Sequence, residues 1–312
     1  MTLHAGWPAI PFEPWKDTCA ALHLFTQVVG KYRLAHTPWV NHSWHATLYV
    51  NADGLTTGLI PDGLGITVQF DLQRQRLIGS CGTGETEQFA LEPMSVATFD
   101  ARFKQLVSRL GGSPEYHGCP NELPEVIPFE QDAERRPWDA DAVSRFHQAL
   151  VRIDAVFNEF RTAFLGKVSP VHLFWGSFDL AVTRFSGRPA PRHPGGIPNL
   201  PDNVTREAYS HEVNSAGFWP GGGGIAEPCF YSYAYPTPEG FEDAEVKPGG
   251  ARFDVDLGEF MLPYDQVCGA ADPREALLDF LQSTYRAAAD LANWERSDLE
   301  CAIGIPGKPR AV

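Results

Sequence analysis

What this sequence lacks narrows it first. No apolar run approaches the roughly 20 residues of a membrane helix, which sets aside a membrane-spanning chain. The opening stretch, Met1-Thr-Leu-His-Ala-Gly-Trp-Pro8, has no basic segment leading into an apolar one. No signal peptide is therefore expected, and a cytoplasmic location is. Cationic residues are scarce: 25 Lys and Arg stand against 39 Asp and Glu, for a net charge of −14. That deficit argues against nucleic-acid or anionic-membrane partners, whose binding surfaces need clustered Lys and Arg over a whole face. Six cysteines, at 19, 81, 119, 229, 268 and 301, include no C-x-x-C pair. They read as reduced thiols, mostly buried, with no disulfide framework and no cysteine-held zinc.

Several catalytic signatures are missing as well. There is no G-x-S-x-G, and Gly176-Ser177-Phe178-Asp179 lacks both the second glycine and the strand-to-helix turn, which disfavours a serine hydrolase. His211-Glu212-Val-Asn-Ser215 lacks the second histidine of H-E-x-x-H, and His42-Ser-Trp-His45 fits no ligand spacing. No metal ligand is assigned, although His172, His193, His211 and Glu212 are ligand types. Four glycines at 221–224 lead into a strand rather than a helix. This rules out a Walker loop or dinucleotide fingerprint and leaves a hairpin or lid. The cofactor is left unknown.

What is present is a chain able to build a core: 312 residues, 43% hydrophobic and 12% aromatic. Four segments have helical periodicity. From Trp15 to Ala35, Leu22, Phe25, Val29 and Tyr32 form a stripe; Ser95 caps a second helix carrying Phe99, Phe103 and Leu106. After Asp139, Val143, Phe146, Leu150, Ile153, Phe157, Phe160 and Phe164 repeat at 3-4 spacing up to Gly166, and Asp272-Pro273 opens a fourth. Strand-like runs lie between: 44–50, 66–72, 88–91, 172–178, 180–185, 209–218, 229–235 and 253–262. The pattern predicts an α+β protein of two mainly antiparallel, strand-rich lobes flanked by four helices. The lobes are residues 1–118 and 139–302, joined by a proline-rich acidic connector at 119–138 and followed by a tail at 303–312. In each half Gly-Lys, Pro, His, Asp and Thr recur in order, from Gly30 to Thr57 and from Gly166 to Thr183. Duplication and coincidence explain this echo about equally well.

The chemistry-bearing residues concentrate between Lys167 and Arg206, where five Lys or Arg face two acids. The loop 186–202 holds five prolines and three glycines, so its backbone is stiff and sharply turned. A rigid cationic patch on an acidic chain points to a small anionic ligand held by Arg184, Arg188 and His193. His172 and His211 are then the proton-exchanging groups, with Glu212 or Asp179 orienting a histidine. Tyr209, Trp175 and His45 complete the expected binding wall, aromatic platforms beside polar groups. Strand period separates His211 from Glu212 unless the strand bulges. On the first helix His23, Gln27 and Lys31 form a polar stripe that is either wet or lines a second pocket.

Trp7-Pro8, Trp15-Lys-Asp-Thr18, Asn41-His-Ser-Trp-His45, Ser169-Pro-Val-His-Leu-Phe-Trp-Gly-Ser-Phe-Asp-Leu-Ala-Val-Thr-Arg-Phe-Ser-Gly187 and Arg206-Glu-Ala-Tyr-Ser-His-Glu212 resemble a bacterial family of uncharacterised proteins. The resemblance runs from about Trp7 to Trp294 and implies one full-length module in a bacterial cytoplasm. It supplies no activity. Three readings follow from the residues: an enzyme acting on a small anionic metabolite, a non-catalytic binding or sensing protein, and a histidine-ligated metal-dependent oxygenase or hydrolase. Reaction type and oligomeric state are beyond these observations.

Overall fold

Three of the four long helices form where an apolar stripe follows a side-chain cap, and the first, which follows Pro11, has no such cap. The computed structural model describes residues 6–310, with α1 at Phe12–His36, α2 at Val96–Arg109 and α3 at Ala140–Thr162. Short helices α4 (Asp202–Ala208) and α5 (Tyr264–Cys268) precede the long α6 (Pro273–Leu291), and α7 (Arg296–Leu299) follows it. The Ser95 hydroxyl accepts from the Thr98 amide at 3.1 Å, the Asp139 carboxylate from Ala142 at 2.9 Å, and Asp272 from Glu275 at 3.1 Å. Each side chain satisfies an amide that the first helical turn leaves without a partner. None of these helices is long and apolar enough to cross a membrane.

Two antiparallel sheets lie between the helices, which makes the protein α+β. The first is a meander of β1 (Tyr49–Val50), β2 (Gly54–Ile60), β3 (Ile66–Asp71), β4 (Arg76–Cys81) and β5 (Thr86–Ala90). The second contains β6 (His172–Phe174), β7 (Asp179–Pro189), β8 (His211–Trp219), β9 (Cys229–Tyr235), β10 (Arg252–Asp254) and β11 (Glu259–Pro263), ordered β10-β11-β9-β8-β7-β6. The expected strand at 44–50 is mostly turn, with only Tyr49–Val50 paired. The run 253–262 breaks at Asp254, whose carboxylate accepts from the amides of Asp256 and Leu257 at 3.1 Å and turns the chain into a hairpin. β2 and β4 were not anticipated, because Gly and Thr in one and Arg, Gly and Ser in the other dilute the alternation.

The sheets meet edge to edge, since Leu48 and Leu173 exchange backbone hydrogen bonds of 3.0 and 2.8 Å. One continuous apolar core runs through both lobes, from Leu22 and Phe25 of α1 to Phe280 and Leu281 of α6. The first half reads helix, antiparallel meander, helix, and the second does so through β6–β9, after which β11 pairs with β9 and β10 with β11. Within the echo, Thr57 lies in β2 and Thr183 in β7, each the second strand of its meander, whereas Lys31 is helical and Lys167 lies beyond the end of α3.

Candidate functional site

On β7 the side chains alternate. Leu180, Val182 and Arg184 point to the face packed by α3, while Asp179, Ala181, Thr183 and Phe185 point to the other. Register carries that second face across the sheet. Ala181 lies opposite Gly217 and Gly217 opposite Tyr231; Thr183 lies opposite Ser215 and Ser215 opposite Tyr233. No long helix is laid flat across this face. The connector, the C-terminal half of α1, the turn at 41–44 and the segment 197–205 arch over it, leaving a cavity of about 780 Å³. That volume is in the range of small-molecule sites, and most of its wall is apolar.

Three carboxyls line this cavity, with Lys31 as the one Lys or Arg among its described walls. Asp179 is buried and takes hydrogen bonds from the hydroxyls of Ser177 and Tyr231. Burial raises its proton affinity, and the two hydroxyls oppose the shift. Burial, then the charge of Asp179, pushes Glu122 up to about 7, with Lys31 opposing. Burial followed by the charges of Asp179 and Asp254 pushes Glu259 to about 8. Among the described residues the Oε2 of Glu259 has no partner. Lys31, lowered to about 8 by burial, donates to the Asn121 side chain and lies 5.6 Å from the Trp175 ring centre. Tyr209 and Tyr233 share a 2.8 Å hydroxyl–hydroxyl bond above the floor.

Glycines make room for these walls. A Cβ on Gly217 would lie 2.3 Å from the Tyr231 hydroxyl oxygen, so Tyr231 crosses β8 to Asp179 only because Gly217 has no side chain. A Cβ on Gly30, inside α1, would lie 2.4 Å from the Trp175 ring, and one on Gly176 would lie 2.0 Å from Glu122 Oε1. Backbone strain gathers here too. Of seven described non-glycine residues with positive φ, His42, Ser43, Glu122 and Asn199 line the cavity. Such conformations cost free energy and concentrate at ligand sites.

The residues singled out from sequence divide sharply. Asp179, Trp175 and Tyr209 line the cavity. The expected convergence of Arg184, Arg188 and His193 does not occur. Arg184 points to the opposite face, fully buried beside Phe160 (3.5 Å to the ring centre) and Tyr285 (4.4 Å), and donates to the Phe160 carbonyl. There it borders a separate cavity of about 640 Å³. Arg188 binds Glu212 at 2.7 Å and the carbonyls of Ala292 and Asn293, so both members of that pair are engaged away from the cavity. His193 stacks on Tyr209, ring centres 4.6 Å apart, outside the cavity wall. His211 sits at the end of β8 with its Nδ1 3.1 Å from the Ser210 hydroxyl. His172 shares the cavity face, opposite Ala181, but it is fully buried beside Phe174 and Trp44 and does not line the cavity. Burial lowers it to about 3, and neither ring nitrogen has a partner among the described residues. His45 is buried against Trp39, with Nδ1 3.2 Å from the Val40 carbonyl. No three His, Cys, Asp or Glu side chains among the described residues are grouped to hold a metal ion.

Sequence reasoning missed Glu122, Glu259, Tyr231 and Tyr233. The tyrosines had a signal, since Tyr231 and Tyr233 alternate along a strand-like run and so share a face. Glu122 looked like one acid among several in the connector. The polar stripe on α1 is not wet. His23 Nε2 is 2.9 Å from the Gly176 carbonyl, Gln27 binds the Asn121 backbone, and Lys31 reaches the cavity.

A model described as a family of unknown function matches residues 7–301, nearly the whole chain. No curated protein and no solved structure matches it.

Proposed function

The chain belongs to that family, DUF5996, and we propose that it is an enzyme transferring a proton on a small organic molecule held in the cavity. The observation that carries this reading is Asp179. Its carboxyl is buried at the cavity floor between the hydroxyls of Ser177 and Tyr231, and its charge raises the proton affinity of two further carboxyls, Glu122 and Glu259. A carboxyl kept in an apolar hollow costs stability, and such groups with displaced proton affinity mark sites of acid–base chemistry. Asp179 would accept the proton and the Tyr231 hydroxyl would stabilise the charge that develops. Glu122, titrating at about 7, would exchange protons with the product near neutral pH. The aromatic walls supplied by Trp44, Trp175 and Phe185 would hold the apolar body of the substrate.

The test is to incubate the purified protein with a cellular metabolite extract and follow its contents by mass spectrometry. A compound consumed by the wild type but only bound by Asp179→Asn supports the reading. A compound retained unchanged by both proteins supports the competing reading of a carrier or sensor. Consumption that is equal in the two proteins removes Asp179 from the chemistry.

A further inference from the structure

We propose that the ligand of this cavity is an organic cation, with a protonated or quaternary amine directed at Asp179 and Glu259 and an apolar body against the aromatic walls. This rests on the cavity being the functional site, and it adds the class of molecule that enters. The walls present Asp179, Glu122 and Glu259 against one ammonium, Lys31, and that ammonium is bonded to Asn121 rather than to a carboxylate. None of the three acids is in an ion pair among the described residues, and Glu259 Oε2 has no hydrogen-bond partner at all. Carboxylates withdrawn from solvent are ordinarily paired, so one buried and two half-buried acids sharing a hollow with a single ammonium leave a complementary charge to be supplied from outside.

The aromatic surroundings fit the same head group. Faces of Trp and Tyr attract cations, most strongly where water is excluded. Aromatic walls of this cavity already take the protein's own ammonium groups: Lys31 lies over Trp175, and Lys167, outside the cavity lining, lies 5.3 Å from the Trp44 ring centre and 4.7 Å from that of Phe185. Tyr231, Tyr233 and Tyr209 line the cavity with the carboxyls, so an ammonium held there would have aromatic rings as well as oxygens around it. The guanidinium groups that would suit an anion are buried behind the sheet or tied to Glu212.

The experiment uses matched probes with one body and three heads: 3-phenylpropylamine, 3-phenylpropanol and 3-phenylpropionate, together with benzyltrimethylammonium. Binding to the full chain is read by ligand-observed NMR and by thermal shift. The amine and the quaternary ammonium should bind at least tenfold more tightly than the alcohol, and the propionate should not bind. Asp179→Asn and Glu259→Gln should each weaken the cations by tenfold or more while leaving the alcohol unchanged. Affinity for the cations should rise from pH 6 to pH 8 as the acids lose their protons. The other titratable groups on these walls are Lys31, His42, His117, Tyr209, Tyr231 and Tyr233, and loss of the Lys31 charge near pH 8 acts in the same direction. Two cavity-filling variants from different walls, Ser215→Phe and Ala208→Trp, locate the binding, so a folding failure in one leaves the other to decide. Preferred binding of the propionate or the alcohol, abolished by a filling variant, would overturn the cation and keep the cavity. Probe binding insensitive to every folded filling variant, or no binding by any probe, would overturn both.

Discussion

Gly217 is where the fold and the site depend on one missing methyl group. Its backbone is ordinary strand, so alanine meets no conformational objection; the objection is entirely spatial. The new Cβ would lie 2.3 Å from the Tyr231 hydroxyl oxygen and 2.4 and 2.5 Å from two ring atoms. Tyr231 must therefore leave its path across β8, and Asp179 loses one of its two hydroxyl donors. Overpacking costs about 1–3 kcal/mol, and loss of a hydrogen bond to a charged group about 1.5–3 kcal/mol. Against this, alanine in a strand interior recovers about 0.5–1 kcal/mol relative to glycine. The net expectation for Gly217→Ala is a loss of about 2–5 kcal/mol, read from urea unfolding as a lower midpoint at unchanged slope. Tyr231→Ala removes the obstacle, so in that background Gly217→Ala should be neutral or stabilising by about 0.5–1 kcal/mol. Such a cycle isolates the Gly217–Tyr231 coupling from other effects of each change. An equal loss in both backgrounds, or a loss below about 0.5 kcal/mol in the wild type, would refute the argument that Gly217 exists to seat Tyr231.

Other outcomes follow from the same geometry. Glu259 moves from 4.5 to about 8 on folding, so the folded state binds more protons than the unfolded chain across that window and stability falls as pH rises through it. His172, lowered from 6.5 to about 3, acts in the opposite sense but only below 6.5. Between pH 6.5 and 8 the thermal midpoint should therefore decline, and Glu259→Gln should flatten the decline; parallel curves would mean that Glu259 is solvated. Arg188→Ala, which removes a half-exposed ion pair, should change stability by no more than about 1 kcal/mol and leave cavity ligand affinity unaltered, as titration calorimetry would check. Arg184→Ala empties a fully buried slot between Phe160 and Tyr285 and should cost about 2–5 kcal/mol in urea unfolding, again without changing that affinity. A drop in affinity in either variant would restore the arginines to the site.

How much was legible follows from which forces are local. Helices with long apolar stripes and side-chain caps announce themselves, because both signals lie within a few residues of one another, as Asp139 and Val143 through Phe160 do. β2 and β4 did not, since their residues are selected by neighbouring strands rather than by their own alternation. Asp179, Trp175 and Tyr209 were reached because they belong to a dense stretch of polar and aromatic residues. Arg184 was misplaced by a step the sequence itself permits: it is one residue from Thr183 on a strand, and so on the opposite face. Glu122 had no local signal. It reaches Asp179 through the path of the connector, and a left-handed φ of 59° at a glutamate is set by that path, not by propensity.

The position of the cavity follows from how the two meanders are joined. The Leu48–Leu173 bridge places β1 beside β6, so α1, which opens the first lobe, lies against the turn that follows β6 in the second. Gly30 fixes that approach, because the Trp175 ring occupies the space a side chain would take, while the Trp175 indole donates to the Ala46 carbonyl at 2.7 Å. With α3 and α6 occupying the back of the second sheet, its front is covered by the end of α1, the short α4 and irregular segments. Irregular backbone packs less tightly than a helix laid flat, and it can place single side chains such as Glu122 at positions no periodic element would reach. A packing defect of this size would be expected to collapse or to be lined by hydrocarbon alone. This one instead carries three carboxyls and four left-handed residues, each a cost to folding that a site for a ligand explains and a gap in packing does not.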